Sequence, residues 1–134
     1  MAADFGSDDV GQRLIAAGLD PSVRSLLLCE GIAVYLELPL LTSLLEGLRA
    51  VAAADSRLVI SLSVSSGSPG LADRRADFQA AVAALGEPAR TVLTAADAEV
   101  LLGDAGWRGA FPPIEPGADP ERAHRAGFVT ALTA

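Results

Sequence analysis

The sequence predicts an α/β fold, in which helices cover the faces of a sheet, and three observations carry this prediction. Short apolar runs of strand length alternate with longer runs whose apolar residues recur at helical spacing. The run at residues 25–29, Ser-Leu-Leu-Leu-Cys, is apolar on both faces, as in interior strands of parallel sheets. The chain has 134 residues, 51% of them hydrophobic, which suits a single domain over residues 1–134.

Four helices are predicted from apolar spacing and end signals. The first follows residues 8–9, whose Asp side chains can accept hydrogen bonds from a first turn, and it ends at Gly18. A longer helix is predicted over residues 37–53, where a proline falls in the tolerated first turn. Two more are predicted over residues 78–85 and 94–105, which carry apolar residues on one helical face.

The predicted strands lie between these helices, at residues 25–29, 58–64, 90–93 and 128–132. The second is the clearest, because its leucine, isoleucine and valine residues occupy every other position. Ligands on α/β sheets usually bind beyond the carboxyl ends of the strands. Glu30 and Gly31, which directly follow the first strand, are therefore candidate ligand contacts.

The charge pattern argues against a nucleic-acid or anionic-membrane partner. The net charge is −7, and no basic cluster is larger than the pair at residues 74–75. Cys29 is the single cysteine, which fits a reducing compartment. The N-terminus lacks a basic segment followed by an apolar stretch, and the apolar stretches are shorter than a membrane span. We therefore expect a soluble, cytoplasmic protein with no membrane partner.

A motif at residues 29–36, Cys-Glu-Gly-Ile-Ala-Val-Tyr-Leu, is similar to the EG-x-x-x-YL motif of leucine carboxyl methyltransferase-like proteins. Other segments resemble the same family in the same order: Asp4-Phe5, residues 16–20, residues 86–88 and residues 101–107. Together they cover most of the chain up to residue 108. The chain thus resembles the C-terminal half of such a methyltransferase.

The resemblance implies a class I, S-adenosylmethionine-dependent methyltransferase, and hence a partial Rossmann-like methyltransferase sheet of C-terminal strands with flanking helices. The family's N-terminal unit, a strand, a glycine-rich loop and a strand ending in an acidic residue, has no counterpart here. Gly67 and Gly70 lie in a late loop and do not replace it. We therefore expect an apparently truncated domain whose strand at 25–29 is an unpaired apolar edge, and such edges invite self-association.

The resemblance also assigns roles to five residues. Asp4 and Phe5 would contact the adenine side of S-adenosylmethionine, Glu30 and Gly31 would lie in the cofactor pocket, and Tyr35 would line the substrate pocket. Four of the five have a structural alternative: a frayed terminus for Asp4, a cap or an arginine partner for Glu30, a turn for Gly31 and packing for Tyr35. No catalytic base stands out, and one cysteine and one histidine do not predict a metal site.

Two functions from different classes remain open. The first is methylation of a carboxylate or hydroxyl oxygen on a small-molecule or carboxylate acceptor, with S-adenosylmethionine as cofactor. The second is a non-catalytic half-domain that acts as an interaction module or needs a partner chain.

Overall fold

The computed structural model describes residues 2–65, 69–86, 88–109 and 128–133. Helices and strands alternate along them, which confirms the predicted α/β class. The helices are α1 (Val10–Ala16), α2 (Leu38–Ala50), α3 (Pro69–Ala84) and α4 (Ala95–Asp104), and a short 3-10 turn spans Ala33–Tyr35. The strands are β1 (Leu26–Cys29), β2 (Arg57–Ser61), β3 (Val64–Ser65), β4 (Leu93–Thr94), β5 (Trp107–Gly109) and β6 (Phe128–Thr133).

The predicted helix caps are present. The Asp9 side chain accepts a 3.0 Å hydrogen bond from the backbone N–H of Gln12 at the start of α1. The Thr94 hydroxyl accepts one of 3.1 Å from the N–H of Asp97 and donates one of 2.7 Å to its carboxylate, at the start of α4. Gly18 follows α1 with a φ of 107°, a left-handed conformation that glycine adopts without strain.

The main sheet has four strands in the order β1-β2-β6-β5. β1 and β2 are parallel and are joined by α2, whereas β6 is antiparallel to both β2 and β5. The predicted last strand, residues 128–132, is confirmed as β6. The predicted strand at 58–64 divides into β2 and β3, because β3 pairs with β4 in a separate two-stranded sheet. Of the predicted strand at 90–93, only Leu93 lies in a strand, the two-residue β4.

The core lies on one side of the main sheet, between β2, α2 and α4. Its fully buried members include Leu41, Leu45, Leu58, Ile60 and Leu102. Trp107 of β5 is 1% exposed, and its indole N–H donates a 2.9 Å hydrogen bond to the carbonyl oxygen of Leu45 in α2. This bond joins two residues that are 62 positions apart in the sequence.

The prediction that the strand at 25–29 is buried on both faces is wrong. β1 is an edge strand, and β2 is the only described strand beside it. Cys29 is buried and Leu27 packs against the core, but Leu26 and Leu28 are 69% and 66% exposed. The reason is physical: helices of the described chain cover one face of β1 and leave the other face open. Among the described strands, none pairs with the outer edge of β1, as expected for this strand.

The helix predicted at 78–85 forms as part of α3, but its apolar stripe does not face the core. Phe78 is 69% exposed, and Leu85 just beyond the helix is also exposed. The predicted proline-rich loop at 111–120 and His124 lie outside the described residues. Within the described ranges, no helix has both the length and the apolar character needed to cross a membrane.

Candidate functional site

The carboxyl end of β1 forms a tight turn that carries Glu30 and Gly31. Gly31 has a φ of 70°, which an L side chain rarely adopts, so glycine is required by the turn itself. The Gly31 N–H donates a 2.8 Å hydrogen bond to the hydroxyl oxygen of Ser61, the last residue of β2. The carboxyl ends of the two parallel strands are thus tied together at the edge where ligands usually bind.

Glu30 is exposed at this turn. Its carboxylate makes no hydrogen bond or ion pair with any residue that the structure describes, so neither structural alternative for Glu30 is seen there. An exposed carboxylate directly after a parallel strand is available to accept hydrogen bonds from a ligand.

Asp4 and Phe5 are held in place ahead of α1. The Asp4 N–H donates a 2.9 Å hydrogen bond to the Asp8 carboxylate, and the Asp8 N–H donates one of 2.8 Å to the Asp4 carbonyl oxygen. The Asp4 carboxylate accepts a 2.8 Å hydrogen bond from the N–H of Gly6. Phe5 packs against the hydrophobic core. These contacts argue against a frayed terminus at Asp4.

Asp8 is the residue that organises this segment. The backbone hydrogen bond from Asp4, followed by the side-chain hydrogen bond from Arg13, lowers the pKa of the Asp8 carboxyl below its usual value of 3.8. Arg13 approaches both Asp8 carboxylate oxygens, at 3.1 and 3.2 Å. The sequence suggested Asp8 only as a helix-capping residue, and no motif marks it as the anchor of Asp4.

Tyr35 lies in the 3-10 turn that follows Gly31, with its side chain 37% exposed. The chain just beyond this turn is clamped by the segment before β4. The buried Thr91 hydroxyl donates a 2.6 Å hydrogen bond to the Leu36 carbonyl oxygen, and Arg90 forms a 2.8 Å ion pair with Glu37. Sequence analysis did not identify Thr91, because a single threonine in a weakly predicted strand carries no local signal.

A separate open cleft of about 350 Å³ lies between α1 and α2. Its polar lining is acidic, through Asp8, Asp9 and Glu46, and Phe5 also lines it. Glu30, Gly31, Tyr35 and Asp4 are not among its lining residues. We place the candidate site at the carboxyl end of β1 and not in this cleft, because ligands of α/β sheets bind where the strands end.

The candidate residues therefore form two groups. Glu30, Gly31 and Tyr35 follow one another at the end of β1, whereas Asp4 and Phe5 lie ahead of α1. No hydrogen bond between described residues joins Asp4 to Glu30. The described residues contain no group of three or more His, Cys, Asp or Glu side chains that could hold a metal ion.

A comparison with protein families matches the N-terminal part of the chain. The leucine carboxyl methyltransferase family matches residues 1–49, a segment that contains all five candidate residues. None of the curated proteins compared with the chain is similar to it in sequence.

Solved structures match the chain along its whole length at low sequence identity. A DUF574 family protein from Streptomyces avermitilis is 18% identical, with a TM-score of 0.68, over 100% of this chain and 54% of its own. Magnesium protoporphyrin IX methyltransferase from Synechocystis, solved with bound SAH, is 17% identical, with a TM-score of 0.54, over 100% and 50%. Human N-acetylserotonin methyltransferase, solved with SAM, is 15% identical, with a TM-score of 0.61, over 100% and 33%.

The chain thus spans about half the length of the first two of these structures. At these identities the likeness shows the fold, which is part of a Rossmann-like methyltransferase sheet. The family match covers residues 1–49, so this part of the chain is similar to leucine carboxyl methyltransferases, as its motifs predicted.

Proposed function

We propose that this chain is part of an S-adenosylmethionine-dependent methyltransferase that methylates a carboxylate or hydroxyl oxygen of a small-molecule or carboxylate acceptor. The observation that supports it most is the family match over residues 1–49, because this segment holds every candidate site residue. The order of the elements around the β1 turn is consistent with the proposal.

Glu30 and Gly31 fit the part of such a cofactor site in which a carboxylate accepts hydrogen bonds from the bound cofactor. A Cβ built on Gly31 would meet no atom within 4 Å, so there is open space beside the turn. Glu30 projects from the same turn and can accept hydrogen bonds from hydroxyl or amino groups of a bound nucleoside. Gly70 lies within α3, so it does not form a glycine-rich turn after a strand.

When bound, S-adenosylmethionine supplies a methyl group on a positively charged sulfur. The task of this chain is then to bind and orient, since alignment of acceptor and methyl carries much of such a displacement. A carboxylate acceptor is already nucleophilic and needs no general base from the protein. A hydroxyl acceptor needs one, and none of the described candidate residues is assigned that role.

Calorimetric titration of the chain with S-adenosylmethionine or S-adenosylhomocysteine tests this proposal. We expect micromolar binding, and we expect Glu30→Ala to weaken it by about tenfold, as for the loss of one charged hydrogen-bond acceptor. Glu46→Ala, in the acidic cleft between α1 and α2, is the matched control and should leave the affinity unchanged. Weakening by Glu46→Ala alone would place the ligand in that cleft and contradict our assignment.

A non-catalytic half-domain that acts as an interaction module or needs a partner chain is the second candidate, and the outer edge of β1, with which no described strand pairs, favours it. The same titration separates the two. If neither ligand produces heat at high concentration while the chain is folded by circular dichroism, the isolated chain is not a cofactor-binding enzyme.

A further inference from the structure

The outer edge of β1, with which no described strand pairs, carries a defined set of backbone groups. Ser25 directs its carbonyl oxygen to Arg57 and its N–H to Ser56 on the β2 side, at 2.9 and 3.0 Å. Gly31, also odd-numbered, directs its N–H to the same side. Because backbone direction alternates along a strand, the N–H and C=O groups of Leu26 and Leu28 point to the open edge.

The side chains of this segment alternate just as regularly. Residues 24, 26, 28 and 30 are exposed, whereas residues 25, 27 and 29 are half-buried or buried. The outward stripe therefore reads Arg24, Leu26, Leu28, Glu30: one cation, two apolar residues and one anion. Neither Arg24 nor Glu30 makes an ion pair within the described part of the chain.

We propose that the outer edge of β1, together with this outward stripe, is a self-association surface and that its occupant is a second copy of the chain. A two-fold axis at Leu27 would add the second β1 antiparallel to the first. Leu26 would then lie opposite the partner's Leu28, and the edge-directed groups of both residues would exchange hydrogen bonds.

Charge complementarity specifies this register. With Leu27 at the centre, Arg24 lies opposite the partner's Glu30, and the symmetry repeats the pair at the other end. Opposite charges placed directly across two strands stabilise their pairing, and the four outward leucines form one apolar cluster between the two ion pairs. A register shifted by two residues, the smallest shift that keeps the outward side chains on one face, would set leucines against charges and lose both pairs.

The net charge of −7 per copy opposes association, so we expect a dimer that depends on concentration. The inference goes beyond the proposed function and does not rest on it, since it requires neither cofactor nor methyl transfer. Glu30 belongs to both sites, so the mass of the assembly is measured without cofactor.

Sedimentation velocity or light scattering of the chain at increasing concentration tests the proposal through a charge exchange. We expect wild type to form dimers, and Arg24→Glu or Glu30→Arg to raise the dissociation constant by about tenfold or more, since attraction becomes repulsion at both ends. The double variant with both changes should recover dimerisation, because the charges again face their opposites.

Arg108→Glu, on β5 at the other end of the sheet, is the matched control for charge and should still form dimers. A wild type that stays monomeric at the highest concentration overturns the proposal, as does failure of the double variant to recover. If a variant does not fold, hydrogen exchange of wild type decides: the Leu26 and Leu28 amides should be protected only at concentrations that form dimers. Equal exchange at all concentrations refutes the edge pairing.

Discussion

At the scale of single residues, the candidate site is positioned by polar side chains that belong to none of the recognised sequence motifs. Asp8 holds the backbone of Asp4, and Ser61 holds the Gly31 turn through a bond across 30 positions of sequence. In each case a carboxylate or hydroxyl oxygen satisfies a backbone N–H that would otherwise lack a protein partner. The candidate residues depend on these anchors for their place.

Replacement of Asp8 should make the N-terminal segment less stable in a way that depends on pH. The Asp8 pKa is lowered in the folded chain, so its contribution to stability is present above pH 3.8 and is lost as the pH falls below that through the folded pKa. We expect Asp8→Asn to lower the thermal midpoint at neutral pH and to match wild type at the acid end of this range. Melting curves against pH measure it.

Arg13→Gln is the comparison variant for Asp8→Asn. The Asp4 backbone bond is the larger cause of the lowered Asp8 pKa, and Arg13→Gln leaves that bond intact. Arg13→Gln should therefore lower the thermal midpoint less than Asp8→Asn does. An equal or greater loss would mean that the ion pair, and not the backbone bond, is the main contributor.

At the scale of elements, α1 packs directly on α2 through two glycines. A Cβ built on Gly11 would lie 2.6 Å from the carbonyl oxygen of Gly47, a distance that real side chains do not show. Gly11 is buried at this crossing. Close backbone contact is therefore what docks α1, and with it the Asp4-Phe5 segment, onto the rest of the chain.

Gly11→Ala should push α1 away from α2 and cost about 1–3 kcal/mol of the free energy of unfolding, the usual range for overpacking. Gly103→Ala in α4 is the matched control, because no atom lies within 4 Å of the Cβ built there. It should stabilise the chain by about 0.4–1 kcal/mol. Urea denaturation of both variants checks this, and a neutral Gly11→Ala would show that the two helices can separate freely.

At the scale of the whole molecule, the indole of Trp107 joins the edge strand β5 to helix α2. Its N–H reaches the Leu45 carbonyl oxygen in α2, and its ring is fully enclosed. β5 pairs only with β6 among the described strands, so this contact fastens the β5 end of the sheet to the core. At the opposite end of the sheet, the outer edge of β1 pairs with none of the described strands.

Trp107→Phe should lose this hydrogen bond, worth about 0.5–1.5 kcal/mol, and leave a cavity that adds to the loss. Val100→Ala, at an exposed position of α4, is the control and should stay within about 0.5 kcal/mol of wild type. Denaturation followed by far-ultraviolet circular dichroism measures both without using the tryptophan signal. Equal stabilities of the two variants would show that Trp107 does not fasten the sheet.

Local patterns were enough to predict most elements of this protein. Capping residues, glycine stops and helical spacing located α1, α2 and α4, because these signals act within a few neighbouring residues. The motif around Glu30-Gly31 likewise indicated the turn after β1 and the resemblance to leucine carboxyl methyltransferases. The alternation that would place Arg24 opposite Glu30 in the proposed dimer is also visible in the sequence, but the exposure of these side chains is known only from the structure.

Tertiary structure alone decided what depends on partners far away in the sequence. Whether the outward face of β1 and the apolar stripe of α3 were buried or exposed depended on which layers are present to cover them. The division of residues 58–64 between two sheets followed from the separate pairing of β3 with β4. The hydrophobic pattern of a segment indicates which of its side chains can be buried. Whether they are buried depends on which other elements of the fold pack against that segment.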